Sequence, residues 1–270
     1  MGAAGGPPRS RPARALAAAA LLAGALPAAA LDRFEIQVYG PDLDEPGQFS
    51  LELHLNYTWA GEGTAAYPGE APLARAGQYT LEPALGVLEW LELGAYLQSY
   101  STPATGFRFG GLKARAKMIV PRRLTGEFFL GLNVEVGFVP RAIEAEAWGA
   151  EFRPILGWSN GWGLVSLNPT FGFAFTGPDR FRVDLGPSAK AELNTQLGFG
   201  VGLEYYTSMG YLDGLPAPAG WQQMLFAVVD LLAPRGAEES PWELDVGVGR
   251  GLTGATPQQW TAKVIAGRSF

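Results

Sequence analysis

The only histidine of the chain, His54, lies among side chains whose types could support proton transfer. Glu52 and Asn56 flank it at a spacing of two residues, and Ser50 precedes it by four. A histidine acts as a general base when a serine or a carboxylate lies within hydrogen-bond reach. Because Asn56 stands where a serine partner would be needed, we favour a hydrogen-bonding role for His54. We predict no catalytic residue and no enzymatic activity.

Three cations occupy alternate positions further along, at Lys113, Arg115 and Lys117. Residues two apart share one face of a β-strand, so these three would form a positive stripe. The stripe could attract an anionic solute, or it could pair with carboxylates on neighbouring strands. We favour ion pairing, in which each exposed pair would contribute little to stability.

Several other chemistries are disfavoured by composition. The chain has no cysteine, which excludes disulfides and Cys/His zinc sites, and we predict no metal and no cofactor. Acidic residues outnumber basic ones by 26 to 20, which disfavours nucleic acid as a partner. Two glycine runs, 198–202 and 247–251, resemble parts of a dinucleotide fingerprint, but that motif requires a following helix. Here the glycines alternate along strands, where they would leave room beside the strand.

The elements that must position these residues are indicated by alternation with a period of two. From residue 49 to residue 59 every odd position is apolar and every even position is polar. Such alternation is typical of a strand with two different faces. The same pattern recurs in 78–87, 128–138, 165–175, 197–206 and 242–248. It is less regular in 91–100, 112–120, 148–157, 181–193, 221–232 and 260–270.

These segments predict an all-β fold, an antiparallel up-and-down transmembrane β-barrel of about twelve strands covering residues 31–270. A strand of about ten residues rises about 33 Å, and a tilt near 40° reduces this to about 25 Å of membrane. Short links are expected at 88–90, 121–126, 159–161 and 193–196, and long ones at 61–77, 101–111, 139–147 and 210–220, with 176–180 intermediate. Short turns on the periplasmic side and long loops outside are typical of such barrels. The link 233–241 is an exception, because it is longer than a periplasmic turn should be.

The first thirty residues predict a cleaved secretory signal. Arg9, Arg11 and Arg14 form a positive region, and an apolar run follows from 15 to 26. Pro27 and a run of three alanines complete the pattern, so we expect the mature chain to begin near Leu31. The final residue, Phe270, shares its parity with the apolar face of the last strand. A terminal aromatic on that face is similar to the assembly signal of outer-membrane barrels, although Arg268 departs from it.

A soluble β-sandwich or lipocalin-like barrel would also alternate, with its apolar face inward. Large aromatics gathered at strand ends favour a membrane girdle instead, and a soluble barrel of this width would leave a large interior to fill. In the membrane interpretation the polar face lines the lumen. The candidate lumen-lining residues are Glu52, His54, Asn56, Glu82, Lys113, Arg115, Lys117, Glu135, Arg153, Glu204 and Asp245.

The stretches 34–39, 45–47, 51–57, 202–206 and 247–253, with the final Phe270, resemble a family of bacterial outer-membrane proteins. Its members are labelled as transporters or as MetA-pathway phenol-degradation proteins. The resemblance implies a barrel that passes small molecules, aromatic ones included, and it carries over no functional residue.

We therefore expect a passive outer-membrane channel or transporter for small solutes, hydrophobic or aromatic ones among the candidates, with outer-membrane lipid around it. A closed structural or surface-interaction barrel is the alternative, and a hydrolase centred on His54 is the third hypothesis. The sequence leaves the oligomeric state open.

Overall fold

The computed structural model describes residues 1–2, 31–195, 197–231 and 240–270. Apart from its first two residues, the predicted signal peptide lies outside this range, as does most of the long link 233–241. Nothing helical within the described residues is long and apolar enough to cross a membrane.

Fifteen strand segments carry the fold. They are β1 (Phe49–Gly61), β2 (Ala76–Leu88), β3 (Leu91–Thr102), β4 (Gly106–Ile119), β5 (Phe128–Phe138), β6 (Trp148–Asn160), β7 (Gly163–Asn168), β8 (Phe171–Ala174), β9 (Asp184–Leu185), β10 (Ser188–Asn194), β11 (Phe199–Ser208), β12 (Gly210–Tyr211), β13 (Gln222–Leu231), β14 (Trp242–Gly251) and β15 (Gln258–Ser269). One helical turn, α1 (Arg122–Thr125), and two 3₁₀ turns, Leu212–Gly214 and Pro218–Gly220, lie in the links.

The fifteen segments make twelve wall strands. β7 and β8 both pair with β6 and are two parts of one strand, hereafter β7/β8. In the same way β9/β10 and β11/β12 each form one interrupted strand. Every neighbouring pair is antiparallel, and β15 pairs with β1, so the sheet closes on itself. The predicted antiparallel barrel of about twelve strands is confirmed.

The outer surface of the barrel is apolar and its interior is polar. On β1, Leu53 and Leu55 are 39% and 36% exposed, whereas His54 between them is 1% exposed. A soluble barrel would bury the leucines and expose the histidine. This inversion excludes the lipocalin-like alternative and gives the wall the surface of a membrane barrel.

Aromatic side chains gather at both rims of this apolar band. At one rim Trp59 stacks on Trp260 with ring centroids 5.9 Å apart. At the other, Phe49 lies 6.1 Å from the terminal Phe270, and the Arg268 guanidinium lies 4.9 Å from the Phe270 ring. Aromatic rings at these rims suit the membrane–water interface, where one side of a ring meets lipid and the other meets water. Arg268 therefore fits at the rim because it packs on aromatic faces.

One predicted loop is wrong. Residues 101–111 form a tight hairpin, because β3 continues to Thr102 and β4 begins at Gly106. The ladder between them shifts register where Gln98 pairs with Gly111 and Ser99 with Phe109, so Gly110 is an extra residue. A bulge of this kind reverses which parity points outward. The alternation therefore breaks inside a continuous strand, and this break in the sequence pattern wrongly predicted a loop.

Residues 31–47, which we call the inner segment, run through the barrel before β1 begins. Three clusters of buried apolar residues lie inside the wall, and each includes residues of this segment. Phe34 packs with Val139 and Ile143 of the β5–β6 loop, while Tyr39 packs with Ile119 and Ile155 of the wall. The inner segment therefore supplies the apolar core of a barrel whose wall is polar inside.

Candidate functional site: the lumen and its chamber

The inner segment is fixed to the wall by polar contacts along its length. Asn56 Nδ2 donates to the carbonyl of Phe34 at 2.8 Å, and the amide of Tyr39 donates to Asn168 Oδ1 at 2.7 Å. The two tyrosine hydroxyls of Tyr39 and Tyr96 share a hydrogen bond of 2.5 Å. An extended segment cannot satisfy its own backbone groups, so the inward polar residues of the strands satisfy them instead.

One ion-pair network joins the inner segment to β4, β5 and β6. Lys113 Nζ lies 3.0 Å from Asp32 Oδ2, 3.1 Å from Glu35 Oε1 and 3.3 Å from Glu135 Oε2. Arg153 Nη2 lies 2.6 Å from Glu151 Oε1 and 4.0 Å from Glu135. One cation thus bridges the inner segment and the wall.

A second group lies nearer the end of the barrel where β1 starts. Arg115 binds Glu82 and Glu92 with nitrogen–oxygen distances of 2.5 and 2.7 Å. His54 Nε2 lies 3.1 Å from Glu82 Oε2 and 3.3 Å from Glu52 Oε2. The ligand atoms of Glu52, His54 and Glu82 lie within 4.8 Å of one another, a spacing at which a metal ion could bind. His54 Nε2 therefore hydrogen-bonds Glu82, which Arg115 also binds, and it lies beside Glu52.

A third network lies on the opposite wall. Lys263, which is fully buried, contacts Glu204 at 2.6 Å and Asp245 at 3.0 Å, and donates to the carbonyl of Ile36 at 3.1 Å. Lys190 contacts the same two carboxylates at 3.6 Å. Lysines in the lumen thus hold both the wall and the inner segment.

The eleven residues singled out from the sequence all take part in the interior of the barrel. The Lys113, Arg115 and Lys117 stripe divides among partners: Lys113 and Arg115 bind carboxylates, and Lys117 Nζ lies 5.0 Å from the Tyr39 ring centroid. Two of the three cations therefore pair with carboxylates, as we favoured over a bare anion site, whereas the contact of Lys117 with an aromatic ring was not predicted.

His54 is not arranged like the base of a hydrolase. Ser50 Oγ donates to Asp44 of the inner segment, and Asn56 donates to backbone carbonyls. Both ring contacts of His54 are with carboxylates, and the ring is buried away from the lipid face. A nucleophile–base pair is therefore not formed among these residues.

The alternating glycines make room for large inward side chains. A Cβ on Gly249 would lie 2.4 Å from the Phe226 ring, and one on Gly200 would lie 2.4 Å from Glu192 Oε1. Phe226 is fully buried, so it could not retreat. The glycines thus have a packing role in the lumen, where a dinucleotide fingerprint would instead require a helix.

A chamber of about 450 Å³ lies at the end of the barrel that carries the long loops. Its floor includes Phe34 and Ile36 of the inner segment and Met224 and Phe226 of β13. On the inner segment its lining extends no further than Gln37. Beyond that residue, the inner segment and the ion pairs occupy the interior.

The chamber is acidic. Nine of its lining residues are aspartates or glutamates and four are cations: Arg33, Lys113, Arg141 and Arg153. Glu144, in the loop between β5 and β6, is exposed to water, yet desolvation by the surrounding protein raises its carboxyl pKa to about 7, while nearby Lys113 opposes this shift. The chamber therefore combines an apolar floor with an excess of carboxylates.

Sequence reasoning missed the inner segment and everything that it binds. Asp32, Glu35 and Tyr39 precede the first strand, and nothing in their spacing shows that they return to Lys113 or to Asn168. The one available signal is that residues 34–39 alternate like a strand although the twelve wall strands are complete without them.

No family model matches the chain, and no curated protein matches it. Several solved structures match the chain. The COG4313 outer membrane channel from Pseudomonas putida F1 superposes with a TM-score of 0.57 at 12% identity, covering 87% of this chain and 100% of that one. The KdgM porin gives 0.52 at 11% identity, with 82% and 99% covered. The same porin in complex with disordered oligogalacturonate gives 0.50 at 10% identity, with 83% and 99% covered. This chain therefore has the fold of outer-membrane β-barrel channels. The specific phenol-degradation family stays a prediction.

Proposed function

We propose that this protein is a passive outer-membrane channel or transporter for small solutes. The observation that carries the proposal is a chamber of about 450 Å³ inside a closed barrel, at the end with the long loops. The apolar outer wall fits lipid, and the channel and porin folds that it resembles support a location in the outer membrane. The eleven inward polar residues would line the path that a solute follows.

The inner segment would set the width of that path. It crosses the lumen between Lys113 on one wall and Lys263 on the other. Removing it would leave a polar tube of twelve strands, intermediate between small filled barrels and open porins. Flow through the intact protein is therefore expected to be slow and limited to small solutes.

A closed structural barrel is the second candidate, and one observation favours it. The same inner segment and the ion pairs fill the interior beyond the chamber. A barrel of this type would use its outer loops to contact a partner and would pass nothing.

Conductance across a planar bilayer separates the two candidates. We expect the intact protein to give small, steady steps, and a variant lacking residues 33–46 to give larger ones. A variant shortened in the loop between β1 and β2, by removal of residues 63–65, which do not line the chamber, is the control and should behave like the intact protein. If neither the intact protein nor the variant lacking 33–46 conducts at any voltage, the barrel is closed and the channel proposal is wrong.

The solute class rests on the chamber and on the sequence resemblance to phenol-degradation proteins. An apolar floor suits hydrophobic or aromatic molecules. Liposome swelling with neutral, anionic and aromatic solutes of similar size would rank them. Equal swelling rates for all three would argue against any such preference.

We also propose that residues 1–30 are removed as a signal. The backbone amide of Leu31 lies inside the barrel and donates to Gln222 Oε1 at 3.2 Å. An uncleaved chain would have to place thirty further residues within or beyond the lumen. Mass spectrometry of the protein extracted from membranes should give a chain that begins near Leu31, and a chain that begins at Met1 would contradict the proposal.

A further inference from the structure

Two glutamates face each other on neighbouring strands inside the barrel, near the end that carries the short turns. Glu52 of β1 pairs directly with Glu82 of β2. Like charges directly opposite each other destabilise a sheet, and their repulsion grows as water is excluded. Water is largely excluded here, because Glu82 is 2% exposed. A cation that contacts both carboxylates would therefore stabilise this part of the wall.

His54 lies beside both carboxylates but can serve only one of them well. Its Nε2 forms a hydrogen bond of 3.1 Å with Glu82 Oε2 and lies 3.3 Å from Glu52 Oε2. One ring nitrogen carries at most one hydrogen, so it cannot donate fully to two acceptors. Glu52 Oε2 is buried and has no hydrogen-bond partner among the described residues. The centre of the cluster thus lacks a group that attracts all three atoms at once.

The three atoms have the spacing that a metal ion requires. His54 Nε2 and one carboxylate oxygen each of Glu52 and Glu82 lie within 4.8 Å of one another. Zinc binds imidazole nitrogen and carboxylate oxygen at about 2.0–2.2 Å, which places tetrahedral ligands about 3.3–3.6 Å apart. The nitrogen–oxygen distances of 3.1 and 3.3 Å are close to that separation. A zinc ion would therefore need only small side-chain movements.

Arg115 holds Glu82 in the orientation that such an ion needs. Its Nε contacts the other carboxylate oxygen, Oε1, at 2.5 Å, which leaves Oε2 directed at His54. Outer contacts of this kind orient the ligands of metal sites. Arg115 also contacts Glu92 at 2.7 Å, so its charge is shared between two carboxylates. It therefore does not neutralise the facing pair of Glu52 and Glu82.

Further carboxylates connect the cluster to water. Glu243 of β14 lies across Gly267 from Glu52, and a Cβ on Gly267 would contact both glutamates. Asp42 of the inner segment adds negative charge near Glu243, and Lys117 adds one positive charge. Glu243 is itself exposed at this end of the barrel. A cation arriving from water therefore meets Glu243 first and Glu52 next.

We propose that Glu52, His54 and Glu82 form a zinc-binding site in which water is the fourth ligand. One imidazole nitrogen with two carboxylate oxygens suits zinc better than calcium or magnesium, which prefer sites made of oxygen alone. The absence of cysteine excludes thiolate sites but not this one. The ion would join β1 to β2 at the end of the barrel opposite the chamber, so the site goes beyond the proposed transport function.

Zinc binding to the purified protein tests the proposal. The protein is extracted from membranes without a polyhistidine tag, treated with a chelator, and titrated with zinc chloride in a calorimeter. We expect one zinc ion per chain, and binding of calcium and magnesium that is at least about tenfold weaker.

Two variants each remove one ligand. His54→Gln and Glu52→Gln should weaken zinc binding at least about tenfold, because each leaves only two protein ligands. Glu89→Gln, which changes an exposed carboxylate at the same end of the barrel, is the matched control and should bind zinc like the wild-type protein. Each variant is used only if it migrates as the folded form in an unheated detergent gel.

A measurement on the wild-type protein alone keeps the proposal testable if a variant does not fold. In crystals soaked in zinc chloride, anomalous scattering at the zinc absorption edge should give a peak about 2.1 Å from His54 Nε2. A wild-type protein without saturable zinc binding, or without that peak, would overturn the proposal. Zinc binding of wild-type strength in folded His54→Gln would overturn it as well, because the chain has no other histidine.

Discussion

The barrel wall contains two joints that differ in their backbones although their outer faces look alike. Where β1 meets β15, paired residues continue without a gap from Ser50–Ser269 to Thr58–Thr261. Where β6 meets β7/β8, pairing stops around Pro154 and Pro169. Both joints present leucine and aromatic side chains to lipid. The difference shows that continuous lipid-facing alternation does not ensure a continuous ladder.

The two joints also differ in what lies behind them. Behind β15, Lys263 binds two carboxylates and the carbonyl of Ile36, so the inner segment packs against the wall. Behind the middle of β6 and β7/β8 lies the chamber, lined there by Arg153 and Thr170. The joint between β1 and β15, which we call the closing joint, is therefore reinforced by hydrogen bonds and by packing. The joint between β6 and β7/β8, which we call the proline joint, has no ladder hydrogen bonds at Pro154 and Pro169 and borders the open chamber.

The strongest test of this comparison moves the proline pair to the closing joint. Leu55 and Val264 face each other there, and the mutual hydrogen bonds of Phe49 and Phe270 fix which pairs along the ladder are hydrogen-bonded, so their peptide groups point at one another. Leu55→Pro with Val264→Pro removes two hydrogen bonds and leaves two backbone carbonyls unpaired beside lipid, at a cost of several kcal/mol each, in a joint with no adjacent chamber to relieve the strain. A folded membrane barrel migrates differently in a detergent gel before and after heating. We expect the double variant to lose the band of the folded, unheated form.

Leu55→Ala with Val264→Ala is the control for that test, because it removes similar side chains and keeps both amides. It should retain the folded band. If the proline variant also retains it, missing donors are tolerated anywhere in the wall and the proline joint has no special status.

The next effect concerns the reinforcement behind the closing joint. Lys263→Met leaves Glu204 and Asp245 with one fewer cation in a fully buried site, and breaking such a pair costs about 3–5 kcal/mol. Denaturant unfolding in detergent, followed by tryptophan fluorescence, should show this loss. Glu89→Gln breaks the 2.6 Å pair with Arg123, and the loss of stability should be much smaller because water surrounds both groups. Equal losses would show that the lumen screens charges as well as bulk water does.

The sequence predicted the wall better than the interior. Alternation such as Leu53, His54 and Leu55 reports which surroundings each face meets, and this is decided locally, strand by strand. It predicted the strands, the outer face and the inward position of residues such as Glu82 and Lys113. It also counted Pro169 as an ordinary member of an apolar face, because its ring does point to lipid.

What the sequence could not show depends on partners far away along the chain. The hairpin at residues 101–111 was missed because the bulge at Gly110 reverses the parity. The meeting of Pro154 with Pro169 depends on a register that links strands across the β6–β7 turn. The place of Tyr39 depends on Asn168, 129 residues later. None of these leaves a periodic signal.

Restoring the missing donors should strengthen the proline joint. Pro154→Val with Pro169→Val allows two new ladder hydrogen bonds, about 2 kcal/mol in total, and Pro83→Val allows one, about 1 kcal/mol. The unfolding midpoint in denaturant should therefore rise in both variants, and further in the double variant. A double variant no more stable than wild type would show that the gap is already satisfied by other contacts.

The smallest effect should come from the charge of the chamber behind the proline joint. Glu144→Gln with Glu146→Gln removes two lining carboxylates without changing the apolar floor. Uptake of the anionic dye 1-anilinonaphthalene-8-sulfonate by cells that carry the protein should rise modestly relative to that of the neutral dye N-phenyl-1-naphthylamine, whose uptake should stay the same. Glu62→Gln, in the neighbouring loop and outside the chamber lining, is the control.

The same carboxylate gives this effect a pH dependence. Because desolvation by the surrounding protein raises the pKa of Glu144 to about 7, this group is mostly neutral below that pH and mostly negative above it. Uptake of the anionic dye should therefore be higher at about pH 6 than at about pH 8, and Glu144→Gln should reduce the difference. A pH profile unchanged by Glu144→Gln would show that other carboxylates set the charge selectivity. The proline joint would then still differ from the closing joint by the open chamber behind it, but the charge of Glu144 would not contribute to that difference.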